Sequence, residues 1–143
     1  MTTTPTIRAM RIEDYPLVYE LWSRCTGFSM KDADDSEHAI RVFLERNPDT
    51  CFVAEGDGGN IIGAILAGHD GRRSRIYHTA VHPEARGMGV GSLLAGHAVE
   101  ALRALGLPKV AVGVYADNKA GNDFWEQQGF AIRDDLVYRE LSL

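Results

Sequence analysis

One stretch decides the fold: Ile76-Tyr-His-Thr-Ala-Val-His-Pro-Glu-Ala-Arg-Gly-Met-Gly-Val-Gly91. Its first six residues predict a strand, Pro83 interrupts that strand, and alternating glycines lead into a helix-forming run that starts at Ser92. Unpaired backbone N–H groups and the positive end of a helix meet at such a strand–turn–helix junction. The stretch therefore predicts an anion-binding turn that suits a phosphate group.

Each polar or flexible position of this turn has its own expected contribution. Gly87 and Gly89 can take positive φ angles and approach a ligand with no Cβ atom in between, and Gly91 lets the first helical turn pack closely. Arg86 adds a forked, permanently charged donor. Because each hydrogen bond to a charged group contributes about 1.5 to 3 kcal/mol, three or four of them would anchor a pyrophosphate.

The glycine spacing also occurs in two other kinds of turn, one that only packs a helix on a sheet and one that binds a dinucleotide. A tight turn can pack a helix on a sheet without binding any ligand, and the spacing alone does not exclude it. A dinucleotide-binding fold would place the turn after its first strand, with an acidic residue about 20 positions later. Here several elements precede the turn, and the corresponding positions read Gly106-Leu-Pro-Lys-Val110. The nicotinamide interpretation is therefore disfavoured.

Two motifs together resemble those of a known family. Residues 81–91, Val-x-Pro-x-x-Arg-Gly-x-Gly-x-Gly, resemble the acyl-coenzyme A signature of the GNAT superfamily of N-acetyltransferases, Arg/Gln-x-x-Gly-x-Gly/Ala. Residues 118–130 resemble the later motif of the same superfamily, Asn-x-x-Ala-x-x-x-Tyr-x-x-x-Gly-Phe. The resemblance covers nearly the whole chain. It implies a single N-acetyltransferase domain over residues 1–143 that uses acetyl-coenzyme A as co-substrate.

Composition and charge fit one globular domain and narrow the classes of partner. The 143 residues are 45% hydrophobic and 24% charged, which are ordinary values. No apolar run approaches the roughly 18 residues that span a bilayer, and the first residues do not read as a signal peptide, so a cytoplasmic protein without a membrane partner is expected. The net charge of −5 argues against nucleic acid. Cys25, Cys51 and the five histidines lack metal-ligand spacing, so no metal is expected.

The order of elements predicts an α/β (α+β) fold. The resemblance implies a GNAT-like, mixed and mostly antiparallel sheet of six or seven strands with about four helices, in which the parallel strands four and five splay apart around the acyl-coenzyme A. The predicted strands are Thr6–Met10, Thr50–Glu55, Ile61–Ala67, Ile76–Val81, Lys109–Val114 and a final hairpin of Phe130–Arg133 with Leu136–Leu141. The first predicted helix begins near Asp14. The other three predicted helices span Ser36–Arg46, Ser92–Leu105 and Lys119–Gln128.

The resemblance assigns the contacts with coenzyme A. In relatives the strand that matches Thr79 to Val81 pairs with the pantetheine arm, and the backbone of Ala80 is also a catalytic candidate because N–H groups can stabilise an oxyanion. Asn118 matches an asparagine that contacts the arm or orders the cleft, although an N-cap is equally consistent with its position. The full set of expected contacts is Thr79, Ala80, Val81, Arg86, Gly87, Met88, Gly89, Val90, Gly91, Ser92, Asn118, Phe124 and Trp125.

Two departures from the motifs concern catalysis. Trp125 stands where many relatives carry a tyrosine regarded as the general acid, and an indole N–H cannot deliver a proton in the same way. Gly113, five residues before Asn118, stands where some protein-acetylating relatives carry a glutamate base. General acid–base catalysis contributes about 10² to 10⁴-fold, whereas positioning of two reactants reaches effective molarities of about 10⁵ M or more. Activity is therefore expected without either residue.

The remaining candidate residues are those expected to bind the amine substrate or to take up its proton. Tyr77 is the first candidate for a proton relay, followed by His78, which strand alternation would send to the opposite face of the sheet. Sheet packing is the alternative for both. The candidate substrate contacts are Tyr115 and four residues of the loop before the second helix, Phe28, Asp32, Asp34 and Asp35. A solvated loop is the alternative for those four.

Two functions are consistent with the sequence. The first is acetyl-coenzyme A dependent N-acetyl transfer to a primary amine, small or peptidic, by direct attack in a ternary complex. The second is a non-catalytic domain that binds or senses acyl-coenzyme A. The expected partner is a small-molecule or peptide amine, and a homodimer is left open.

Overall fold

The computed structural model describes residues 4–25 and 33–143. These ranges contain four α-helices and one sheet of five strands, joined by turns that include short 3₁₀ segments. The strands are β1 (Thr6–Ala9), β2 (Phe52–Glu55), β3 (Ile61–His69), β4 (Ser74–Val81) and β5 (Val110–Val112). The helices are α1 (Tyr15–Ser23), α2 (Glu37–Arg46), α3 (Val90–Ala104) and α4 (Lys119–Gln127).

The strands lie in the sheet in the same order as in the sequence, β1 to β5. The first four strands pair with one another in antiparallel orientation, and β5 pairs in parallel with β4. A parallel neighbour requires a crossover, which α3 supplies. The mixed, mostly antiparallel sheet with a parallel last pair and four helices is therefore confirmed.

The predicted count of six or seven strands is wrong, because the final hairpin does not form. Residues 130–143, all of them described, contain neither helix nor strand, and Ile132 and Val137 are 87% and 80% exposed. Apolar and β-branched residues report how well a segment suits a sheet and not whether a partner edge exists. β5 is only three residues long and offers a short edge.

The helices cover both faces of the sheet and create two apolar cores. Because successive side chains of a strand point to opposite faces, β3 contributes Ala64 and Leu66 to one core and Ile65 and Ala67 to the other. The first core lies under α1 and α2, and the second lies under α3 and α4. Trp22 is the largest fully buried side chain of the first core.

A glycine sets how closely α3 approaches the sheet. A Cβ atom at Gly63 of β3 would lie 2.8 Å from Leu94 Cδ1 and 3.0 Å from Val90 Cγ1. Both distances are shorter than carbon atoms tolerate, so the absence of a side chain permits the packing. The start of α3 is thereby held against the middle of the sheet.

An ion-pair cluster joins β1 to its neighbours. Arg8 donates two hydrogen bonds to Asp14, Nη1 to Oδ2 at 2.8 Å and Nη2 to Oδ1 at 2.7 Å, and a third to Glu55 of β2. Asp14 also accepts from the Arg11 backbone N–H at 2.8 Å. Burial acts to raise the pKa of Asp14, but the hydrogen bonds from Arg8 and Arg11 outweigh it and hold that pKa below its ordinary value. The cluster fixes the entrance to α1.

Candidate active site

The parallel strands β4 and β5 separate after three residue pairs. Ser74, Arg75 and Ile76 pair with Val110, Ala111 and Val112, and β4 then continues to Val81. Among the described residues, no ladder pair joins residues 77–81 to β5 or to the segment that follows it. We call this opening, between residues 77–81 and residues 113–118, the strand fork. One edge of β4 is therefore open where the pantetheine contacts are expected.

A β-bulge lies where the fork begins. Leu66 of β3 pairs with His78 and the next residue, Ala67, pairs with Ile76, so Tyr77 has no partner in β3. The extra residue places Tyr77 and His78 on the same face of the sheet. The ring centroid of Tyr77 lies 5.5 Å from that of Phe43 in α2, and the ring of His78 lies 4.7 Å from Trp22 in α1. The prediction that alternation separates the two side chains is wrong because of this bulge.

The glycine loop, residues 86–91, completes the connection from β4 to α3 and includes the first two residues of that helix. Gly87 and Gly89 each have φ +80°, as the sequence predicts, and Gly89 is the N-cap of the helix. A Cβ atom at either glycine would meet nothing within 4 Å, so both face open space. The backbone N–H groups of the first turn of this 15-residue helix have no partners within the helix. The loop therefore offers the exposed backbone and the helix N-terminus on which the predicted anion site depends, and binding itself stays a prediction.

The end of β4, the start of α3 and the second half of α4 converge beside the loop. A Cβ atom at Gly91 would lie 3.1 Å from Phe124 Cε1 and 3.6 Å from Val81 Cγ2. Ser92 Oγ accepts a hydrogen bond from Gln128 Nε2 at 2.9 Å. Close packing between the two helices is therefore the observed reason for the third glycine.

The other predicted coenzyme A contacts differ in what they can present to a ligand. Val90 and Ala80 are 1% and 4% exposed, so chiefly their backbones are available. Met88 is 45% exposed, and the Arg86 guanidinium is exposed while its Nε donates to the Val81 carbonyl at 3.3 Å. Thr79 Oγ1 is buried, and no described residue hydrogen-bonds it. A donor or acceptor on a ligand could satisfy this hydroxyl.

Asn118 is the N-cap of α4. Its Oδ1 accepts a hydrogen bond from the Gly121 N–H at 2.9 Å, so the capping interpretation is confirmed and a contact with pantetheine stays a prediction. Gly121 stands where the family motif has alanine. A Cβ atom there would lie 2.6 Å from Asn118 Nδ2 and 3.1 Å from Val114 Cγ1, which explains the glycine.

The structure gives physical reasons for both catalytic departures. Trp125 is 7% exposed and packs against Phe124 and Phe130, with ring centroids 4.8 and 4.9 Å away, so it fills the core under α3 and α4. At Gly113 a Cβ atom would lie 2.7 Å from Arg75 Nη2. A guanidinium therefore covers the position where some relatives carry a carboxylate.

The candidate substrate contacts are placed only in part. Asp34 is exposed in the 3₁₀ segment that precedes α2, and Tyr115 is 58% exposed after β5. Phe28 and Asp32 lie outside the described residues. Their contact with an acceptor stays a prediction.

Asp35, a candidate substrate contact in the sequence, lies against a histidine that the sequence does not indicate as its partner. This carboxylate is 5% exposed, and its Oδ1 lies 2.7 Å from Nε2 of His78. The two residues are 43 positions apart, and Asp35 is one of several acidic residues in a loop. No spacing in the sequence could have paired them.

Within residues 4–25 and 33–143, no group of three or more His, Cys, Asp or Glu side chains could hold a metal ion. No helix in the same ranges is long and apolar enough to cross a membrane. Burial raises the pKa of the Cys51 thiol to about 12, so this cysteine is a core residue and not a nucleophile.

Most of the chain is similar in sequence to known acetyltransferases. The family model described as "Acetyltransferase (GNAT) family" matches residues 15–130. Acetyltransferase SG1711 of Sodalis glossinidius (strain morsitans) is 34% identical over 131 residues, which are 92% of this chain and 90% of that protein. Acetyltransferase ECA0875 of Pectobacterium atrosepticum is 36% identical over 131 residues, with coverage of 92% and 91%.

Solved structures share the fold. Ard1 from Thermoplasma volcanium superposes with a TM-score of 0.80 at 25% identity, covering 92% of this chain and 85% of that one. The PaiA N-acetyltransferase from Thermoplasma acidophilum, crystallised with coenzyme A, gives 0.78 at 19% identity, with 92% of both chains covered. The ribosomal-protein-S18-alanine N-acetyltransferase from Escherichia coli gives 0.72 at 22% identity, covering 87% and 76%.

Proposed function

Since this chain belongs to the GNAT family of acetyltransferases and is therefore an acyltransferase, we propose that it transfers the acetyl group of acetyl-coenzyme A to a primary amine by direct attack in a ternary complex. The geometry at the carboxyl end of β4 supports this proposal. The strand fork and the glycine loop lie at the same end of β4, so an extended molecule with a phosphate at one end can occupy both.

The residues present suit coenzyme A as the acyl donor. The backbone of Gly87 to Gly91, the N-terminus of α3 and the Arg86 guanidinium would hold the pyrophosphate. The pantetheine arm contains two amide groups, and these can pair with the open edge of β4 as an additional strand would. The orphaned hydroxyl of Thr79 lies on this part of β4. Acetyl-coenzyme A supplies an activated carbonyl carbon and a thiolate leaving group.

Direct attack needs no acyl-enzyme, and one of the two cysteines is unsuited to form one. Cys51 is 1% exposed and its thiol stays protonated, so it cannot carry the acetyl group. With both substrates held, positioning supplies effective molarities of about 10⁵ M or more, which exceeds the 10² to 10⁴-fold that a general acid adds. The burial of Trp125 is therefore compatible with activity.

The acceptor is a primary amine, small or peptidic. One structural relative, the ribosomal-protein-S18-alanine N-acetyltransferase, is named for transfer to a protein alanine. This supports including a peptide with N-terminal alanine among the acceptors. A non-catalytic acyl-coenzyme A sensor is the second candidate function. It is favoured by Trp125, where many relatives carry a tyrosine acid, and by Gly113, where some relatives carry a glutamate base.

Thioester consumption tests the proposal. The chain is incubated with acetyl-coenzyme A and, separately, with polyamines, free amino acids, aminoglycosides and peptides with free N-termini, and each product is identified by mass spectrometry. We expect one class to be N-acetylated with release of free thiol. Coenzyme A binding without acetylation of any amine would contradict catalysis and favour the sensor.

A further inference from the structure

A buried carboxylate lies against a histidine where the strand fork begins. Asp35 Oδ1 and His78 Nε2 are 2.7 Å apart, and their side chains are 6% and 19% exposed. The imidazole also lies 4.7 Å from the ring of Trp22, which is 1% exposed. Because an ionised carboxylate is costly to bury without a partner, this pair is a specific arrangement and not a solvated surface contact.

The surrounding elements fix Asp35 in this position. Tyr15 of α1 donates its hydroxyl hydrogen bond to the Asp35 carbonyl at 2.7 Å. The next residue, Ser36, caps α2 by accepting a hydrogen bond from the Ala39 N–H at 3.1 Å. The carboxylate is therefore held between α1 and α2 and can orient the imidazole.

The pairing selects a tautomer of His78. An ionised carboxylate can only accept hydrogen bonds, so Nε2 carries the hydrogen and Nδ1 of the neutral ring carries the lone pair. When Nδ1 takes up a proton, the carboxylate beside Nε2 stabilises the imidazolium that results. This arrangement suits a proton acceptor.

The position of His78 along β4 relates it to the thioester. Ile76 is the last residue of β4 that pairs with β5, and His78 follows it by two residues. A donor whose pyrophosphate lies on the glycine loop, and whose arm runs along β4 from Val81 toward Thr79, directs its acetyl group toward His78. The bulge turns His78 to the face of α1 and α2.

We propose that His78 accepts the proton of the incoming ammonium group and that Asp35 is the positioning residue that orients and stabilises its imidazole. This inference rests on the proposed N-acetyltransferase function. It favours His78 over Tyr77, whose side chain is 54% exposed and whose hydroxyl no described residue hydrogen-bonds. Imidazole is also the side chain suited to proton transfer near neutral pH.

In the proposed reaction, two protons leave the ammonium nitrogen by different routes. The ammonium passes one proton to Nδ1 of His78, and the neutral amine forms a C–N bond with the thioester carbonyl carbon. The tetrahedral adduct collapses with cleavage of the C–S bond, and the second proton lost by nitrogen ends on the thiolate. The imidazolium returns its proton to water. The products are the N-acetyl amine, free coenzyme A and one proton.

Asp35→Asn and His78→Gln test the inference in the full chain, with acetyl-coenzyme A and the amine that the wild type acetylates fastest. We expect kcat to fall by about 10²-fold in both variants, while the KM for acetyl-coenzyme A and the calorimetric affinity for coenzyme A stay unchanged. The matched controls are Glu37→Gln and His38→Gln, exposed residues of the same helix start, and both should retain wild-type kcat. A structural defect alone would raise KM or weaken coenzyme A binding as well.

A spectroscopic measurement on the wild type does not depend on activity or on the folding of a variant. In ¹⁵N-labelled protein at slightly alkaline pH, the His78 ring should show a protonated Nε2 and an unprotonated Nδ1. A protonated Nδ1 would overturn the inference, as would variants that keep kcat, and either result leaves N-acetyl transfer standing. If the wild type acetylates no amine, the proposed function fails first and the inference fails with it.

Discussion

At the scale of single residues, Arg8 and Asp14 show how a charge can be kept inside this fold. The Asp14 side chain is 9% exposed, but its two oxygens accept from the guanidinium and from the Arg11 backbone N–H. Arg8 itself has a raised pKa, chiefly because of its hydrogen bond to Asp14. The pair stabilises the fold only while the carboxylate is ionised.

Asp14→Asn should therefore destabilise the protein in a pH-dependent way. At pH 7 we expect the free energy of unfolding to fall by about 1.5 to 3 kcal/mol, the usual contribution of hydrogen bonds to a charged group. Since the folded-state pKa of Asp14 is lowered, this contribution is complete above the unfolded pKa near 3.9 and is lost as the pH falls through the folded-state value. Urea unfolding at pH 7 and at pH 3 measures the difference.

The control for this prediction is Asp135→Asn. Asp135 also accepts two hydrogen bonds from an arginine, Arg133, but both side chains are exposed, so its loss should leave stability unchanged. A stability difference between wild type and Asp14→Asn that persists undiminished at pH 3 would contradict the assignment.

Single residues also differ in how far the sequence predicts them. The positive φ angles of Gly87 and Gly89 follow from the strand–turn–helix pattern alone, because few other residues take such angles. The contact between Asp35 and His78 does not, since it depends on how α1 and α2 dock on the sheet. Local patterns carry no information about such a pair.

At the scale of elements, the close docking of α3 on β3 depends on Gly63. This residue is buried, and any Cβ atom would contact Leu94, Val90 and the Ala80 carbonyl at 2.8, 3.0 and 3.3 Å. The first two atoms belong to buried side chains that have little room to move. A larger residue must push the helix away from the sheet.

We expect Gly63→Ala to lower the free energy of unfolding by about 1 to 3 kcal/mol through overpacking. Gly96→Ala is the matched control, because Gly96 is exposed in the middle of α3 and a Cβ atom there meets nothing within 4 Å. It should raise the free energy of unfolding by about 0.5 to 1 kcal/mol, since alanine favours a helix. Urea denaturation of both variants measures the contrast, and equal effects would refute the packing account.

Helices and strands also differ in how far the sequence predicts them. The start of α3 lies two residues before its predicted start, and the parallel orientation of β5 follows from the helix that precedes it. The β4 bulge could not be predicted, because Tyr77 and His78 suit a regular strand equally well. The absent hairpin at residues 130–141 shows that a strand also needs an edge with which to pair.

At the scale of the whole molecule, the predicted binding site of the acyl donor depends on two features that meet at one end of β4. The fork leaves the edge of that strand open, and the glycine loop places the N-terminus of α3 beside it. The sequence predicts the loop directly and the fork only through the family resemblance. Together they define where the donor binds, and every later step of the proposed reaction depends on it.

Calorimetric titration with coenzyme A tests this placement most directly, using the wild type, Gly89→Asp and Gly71→Asp. Both glycines have positive φ, +80° and +89°, and open space beside them, but Gly71 lies in the β3–β4 turn at the other end of β4. The strain of substitution is therefore matched, and only Gly89→Asp places a carboxylate in the predicted phosphate site.

We expect the wild type and Gly71→Asp to bind coenzyme A with equal affinity, and Gly89→Asp to bind it at least about a hundredfold more weakly, a loss of about 2.7 kcal/mol. Equal affinity in all three proteins would show that coenzyme A does not lie on the glycine loop. An absence of binding in the wild type would contradict the account as a whole.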